Sequence, residues 1–241
     1  MTGLRNYVLV PIFLVSLAVS WMIWNNSPEY IKQGGPLLVL GLTCFFLVIT
    51  FCVERLVVLW RAGGRGSVTS FIRNLKQSVH GGQIPAAIEA CKQQGGSLAN
   101  IVGAGLSRYH ALEASGADRK ELVQETRLAI AEASALETPH LERNLTALST
   151  LASIATLLGL LGTTIGMIRS FRAMSHAGAP DATQLALGIS EALVNTALGL
   201  TTAILGTVLH NYFTTRVDGF YDRTEETAYE VMQLLKSRKG A

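Results

Sequence analysis

The sequence predicts an all-α integral membrane protein whose long transmembrane helices extend into the cytoplasm. Only 15% of its 241 residues are charged, and the mean hydropathy is +0.34, a balance that water-soluble domains do not show. Apolar segments at residues 7–24, 36–53, 145–168 and 182–210 are candidate spans. The last three approach or exceed the ~20 residues that cross ~30 Å of hydrocarbon. Helical patterning also continues well beyond the apolar parts of the last two, which predicts cytoplasmic extensions.

Lys and Arg set the orientation. Residues 61–144 carry Arg61, Arg65, Arg73, Lys76, Lys92, Arg108, Arg119, Lys120, Arg127 and Arg143, while residues 173–183 carry none and residues 25–35 only Lys32. The large connection and the tail are therefore expected in the cytoplasm and the short connections outside.

Residues 1–33 form an extra amino-terminal apolar segment. Arg5 and the small pair Ala18 and Ser20 resemble a secretory signal, yet a retained helix satisfies the orientation and is the expectation. The first long span covers 34–60: Gly35 and Pro36 open it, with proline where its missing N–H does no harm. Trp60 and Arg61 mark the far interface.

Residues 61–144 read as a cytoplasmic helical region. The stretch GGRGS at 63–67 reads as a flexible joint and lacks the Lys-Ser or Lys-Thr of a phosphate loop. Short helices follow, divided by His80, Gly81 and Gly82 and by Gly95 and Gly96. Ile72, Leu75, Val79, Ile84, Ile88, Leu98, Ile101 and Leu106 are the expected buried positions. Asp118 with Glu121 is a capping arrangement for a further helix. That helix is expected to run to about Arg172, broken only at Pro139. Residues 145–173 form a second long span, 174–180 an outside loop, 181–213 the third long span, opened by Asp181 with Gln184, and 214–241 a cytoplasmic helical tail.

The last two spans are unusual for lipid-facing helices. At 100° per residue, Ala152, Ala155, Thr156, Gly159, Gly162, Thr163, Gly166 and Ser170 fall on one third of the helix, and bulky Leu, Ile and Phe take the rest. Glu191, Ala192, Asn195, Gly199, Thr202, Ala203 and Gly206 likewise share a face, with Thr196 at its edge. In lipid, small residues allow the close backbone approach that holds helices together. Gly159, Gly162, Gly166 and Gly199 are the expected packing positions. Thr163 either bonds back to its own helix or faces a polar lumen.

Glu191 lies ~15 Å inside its helix, where an acid costs at least ~2.5 kcal/mol unless protonated, paired or hydrated. It is either satisfied by neighbours, Arg169 among them, or functional. Arg172 is expected to snorkel, and Arg169 either snorkels or pairs with Glu191.

The sequences GLLGTTIGMIRSF and ISEALVNTALGL, in that order, resemble the MotA/TolQ/ExbB proton-channel family and most of all its ExbB and TolQ branch. PLLVLGLTCFFLVITFCVERLVVLWR and IPAAIEACKQQGGSLANIVGAGL strengthen the likeness. The resemblance covers roughly residues 34–235. It implies a bacterial inner-membrane subunit forming a homopentameric bundle whose central pore encloses an ExbD- or TolR-like single-span partner carrying a membrane Asp, with a TonB- or TolA-like protein beyond it. It further implies that the family's pore-facing polar positions fall on Thr163, Glu191 and Thr196, with Asn195 beside them. Residues 1–33, Asn195 and Arg169 depart from the family pattern.

No enzyme, cofactor, metal or nucleic-acid chemistry is expected. The spans lack a nucleophile with its base, an aspartate pair or HExxH ligands. Cys44, Cys52 and Cys91 have no paired spacing, and the cations are mixed with acids. A stator for gliding or flagellar-type motors and a non-conducting scaffold stand as alternatives to a TonB- or Tol-type machine.

Overall fold

The computed structural model describes residues 2–28, 32–175 and 182–237, with side chains from residue 10 onward. All regular elements among these residues are helices: α1 (Thr2–Asn26), α2 (Gly35–Ala62), α3 (Val68–His80), α4 (Ile84–Gln94), α5 (Gly96–Ala114), α6 (Arg119–Glu142), α7 (Leu145–Ser175) and α8 (Ala182–Ser237). Three helical stretches, Gly35–Ala62, Arg119–Ser175 and Ala182–Ser237, are long and apolar enough to cross a membrane. The second counts α6 and α7 together. The chain is thus an all-α membrane protein. Asp181 lies outside the described residues, as does most of the loop at 174–180.

The fold divides into two compact units. The first comprises Met1–Glu54 and Asn144–Tyr212, the second Arg55–Arg143 and Phe213–Ala241.

The second unit has a conventional apolar core. Phe71, Leu75 and Val79 recur every four residues along α3 and are at most 7% exposed. They join Ile84, Cys91, Leu98, Val102 and Leu106 from α4 and α5, and Val231, Met232 and Leu235 from α8. Ile72 and Ile88, expected inside, only flank this cluster, because the register of α3 turns Phe71 inward and α4 presents Ala87 and Cys91. Burial pushes the Cys91 thiol up to about 12.

The end of α2 is tied down. Arg65 N–H donates to Gln94 C=O at 2.7 Å and Gln94 Nε2 to Gly63 C=O at 3.2 Å. Gly96 has φ +81°, and a Cβ there would meet the backbone of Ala62 and stand 2.6 Å from Gly64 N. The expected flexible joint is therefore a backbone-on-backbone junction that only glycine permits.

Helix α6 begins at N-cap Asp118 without the side-chain bond that the capping pattern predicts. Pro139 sits within α6, and the helix persists to Glu142. The break expected at Pro139 instead falls at Arg143 and Asn144, where Asn144 has φ +63°. Proline forfeits one hydrogen bond but leaves the last turn standing, whereas a left-handed residue terminates the helix, and asparagine tolerates that conformation better than most non-glycine residues. Asn144 Nδ2 donates to Glu54 Oε2 at 3.2 Å, and its C=O accepts from Leu148 N–H to start α7. Arg55, only 1% exposed, donates Nη1 to the Leu141 carbonyl at 3.0 Å. The last carbonyls of α6 thus receive a buried cation where the helix dipole favours one.

Candidate functional site

Within the first unit, α7 and α8 pack through their small faces. Ala152, Ala155, Gly159, Gly162, Gly166 and Ser170 are the buried face of α7. Leu157, Leu160, Leu161, Ile168 and Phe171 stand outward. On α8 the buried set includes Glu191, Ala192, Asn195 and Thr202, with Leu193, Leu200, Ile204 and Val208 outward. A Cβ on Gly199 would stand 2.6 Å from Ala155 O and 2.7 Å from Gly159 Cα. One on Gly166 would stand 2.5 Å from Gly188 O. The two backbones touch, which leaves room for nothing larger than hydrogen.

Hydroxyls line this seam. Thr196 Oγ1 donates at 3.1 Å to Gly159 C=O across the helices and at 3.0 Å to its own Ala192 C=O. Ser170 Oγ donates to Leu185 C=O at 3.1 Å. Thr163 lies away from the seam: its hydroxyl bonds back to Leu160 C=O at 2.7 Å and its side chain is half-exposed.

One to two turns along α8 from Thr196, a charged cluster forms. Arg169 Nη1 lies 2.5 Å from Glu191 Oε2, with the Arg169 side chain 52% exposed and that of Glu191 5%. Pairing rather than snorkelling is thus the geometry of Arg169. Asn195 Nδ2 donates at 2.8 Å to Gly34 C=O and at 2.9 Å to Glu191 C=O. Its Cβ fills the space that a side chain on Gly162 would need. Ser190 Oγ donates to Gln33 Oε1 at 2.7 Å. Gly35, at φ +66°, leaves no room for a Cβ beside Glu191 Oε1.

The structure therefore gathers Glu191, Asn195 and Arg169 against the start of α2, places Thr196 farther along the seam, and leaves Thr163 outside the cluster. Glu191 and Asn195 are turned into the protomer rather than out of it. Sequence reasoning missed Gln33, Gly34, Gly35 and Ser190. Two consecutive glycines before Pro36 are the one signal that could have flagged a close approach there.

A carboxylate taken out of water needs a partner charge and hydrogen bonds. Here the buried carboxylate has the half-exposed guanidinium of Arg169, an arrangement that can stabilise or repel a charge passing alongside the helices.

Residues 94–226 match the family model described as the MotA/TolQ/ExbB proton channel family. The chain is 44% identical over 91 residues to a protein of Synechocystis named "Putative biopolymer transport protein ExbB-like 3", covering 37% of this chain and 43% of that one. It is 31% identical over 136 residues to the Tol-Pal system protein TolQ of Pseudomonas aeruginosa, covering 56% and 59% respectively. It is also 32% identical over 104 residues to the biopolymer transport protein ExbB of Aquifex aeolicus, covering 43% of this chain and 70% of that one. Against the first two, then, the aligned part spans roughly half of the relative's length. The family match encloses α7 and the cluster's residues on α8, Ser190, Glu191 and Asn195, and more than half of the chain: this protein belongs to the MotA/TolQ/ExbB proton channel family.

Proposed function

We propose that the chain is the channel subunit of a bacterial inner-membrane motor in which ion-motive force drives movement of a single-span, ExbD- or TolR-like partner. Five copies surround that partner, and its membrane Asp carries the proton. The work passes to a TonB- or TolA-like protein. Thr163, on the half-exposed flank of α7, and Thr196, on the seam, line the ion path. Glu191 and Asn195 set the electrostatics beside it. The observation that carries this reading is the Glu191 and Arg169 pair, buried at its acidic end within two apolar helices. Moving one charge across ~100 mV releases ~2.3 kcal/mol, enough to bias a conformational step.

The internal pairing of Glu191 also suits a second reading, a non-conducting scaffold in which the cluster only fastens helices. Mild-detergent purification of the tagged chain from its native membrane, followed by mass spectrometry and ion-flux measurement in liposomes, separates the two. Co-purification of a small single-span protein with a membrane Asp, and flux that needs both proteins, is the expected result. Its periplasmic part then distinguishes TonB-type transport and Tol-type envelope maintenance from a gliding or flagellar-type stator. An intact oligomer that holds this chain alone and conducts nothing overturns the motor reading.

A further inference from the structure

A cleft of about 460 Å³ lies at the end of α2, where Trp60, Arg61, Arg65 and Lys92 stand around the backbone of Gly64 and the turn from Gln94 to Gly96. It thus holds three cations and no carboxylate. Among the described residues no acid pairs with Arg61 or Arg65, and Lys92 has only Glu89, 4.0 Å away on its own helix. The backbone beneath the rim is held in place by the bonds that join Arg65 N–H, Gln94 and Gly63 C=O.

The last turns of α2, which lead to this cleft, carry an apolar exposed face. Leu56, Val57 and Trp60 recur at helical spacing and are 50%, 42% and 81% exposed. They end a helix long and apolar enough to span a membrane, and the indole and cation at its close favour the headgroup layer. Trp60, Arg61, Arg65 and Lys92 all precede residue 94, where the family match starts.

From these observations we infer that the cleft binds the phosphate of an anionic glycerophospholipid headgroup. The lipid's acyl chains lie along Leu56 and Val57, Trp60 packs at the glycerol level, and Arg61, Arg65 and Lys92 surround the phosphate. The backbone that carries Arg65 is already ordered by its bond to Gln94, and guanidinium groups match phosphate geometry. The inference is independent of ion conduction.

The chain has three tryptophans, so Trp21→Phe with Trp24→Phe leaves Trp60 as the sole indole. This full-length variant, in nanodiscs, is titrated with brominated phosphatidylglycerol and, separately, brominated phosphatidylcholine. Preferential quenching by phosphatidylglycerol is expected, and each of Arg61→Gln, Arg65→Gln and Lys92→Gln should cut the preference by about fivefold. Arg65→Lys, which keeps the charge, should retain most of it, and circular dichroism verifies that each variant is folded. Equal quenching by the two lipids, or a preference that survives loss of all three charges, overturns the inference. Glycerol phosphate that binds the detergent-solubilised chain while the two brominated lipids quench equally would assign the cleft to a soluble phosphate instead, and also overturns it.

Discussion

Glu191 and Asn195 lie one turn apart on α8, and both are satisfied by groups far away in sequence. Arg169→Gln removes the counter-charge from an acid that is 5% exposed. Losing the partner of a fully buried ion costs about 3–5 kcal/mol, and because the Arg169 side chain is 52% exposed the expected loss is smaller, about 1–2 kcal/mol. Thermal unfolding of the purified chain should show it, and Arg169→Gln combined with Glu191→Gln should recover much of the loss. An unchanged transition in the single variant would mean that the pair contributes nothing. The acid and its small neighbours were legible from periodicity alone, since only residue types on one helix are involved. The contact with Gly34 was not, because it joins residues 161 positions apart, and no helical period reports that.

At the scale of elements, the two ends of α6 show what local pattern can and cannot decide. Asp118 marked the start correctly by its residue type, though its side chain makes no capping bond. The end was misplaced because proline is the louder signal, while the terminating conformation belongs to Asn144 at φ +63°. Asn144→Val should therefore cost about 1–2 kcal/mol, the penalty of a left-handed β-branched residue, plus the bond to Glu54. Asn144→Gly should be nearly neutral, and Pro139→Ala should leave the break where it is. Chemical-denaturation midpoints for the three variants test this; a larger loss from Pro139→Ala than from Asn144→Val would return the break to proline. The core positions show the same limit: period identified the buried face of α3 but not whether Phe71 or Ile72 occupies its centre.

Over the whole molecule, the two units are held by different means. The second has an ordinary apolar core with Cys91 inside it; the first relies on small residues, hydroxyls and the pair of Arg169 with Glu191. Cys91 offers a probe of the second unit. Burial holds its thiol neutral up to about 12 against an ordinary 9.0. The neutral thiol is therefore the form that the fold favours, so its contribution is complete below pH 9 and declines as pH rises toward 12. Maleimide should leave Cys91 unmodified at neutral pH until denaturant opens the unit, as read by peptide mass spectrometry; rapid labelling of the native chain would contradict the burial. The first unit has a mechanical consequence of its own. Where Gly199 and Gly159 meet, there is no slack for α7 and α8 to roll or slide without backbone striking backbone. The helix pair therefore behaves as a single rigid strut, and the moving part of any machine built on it has to lie outside that pair.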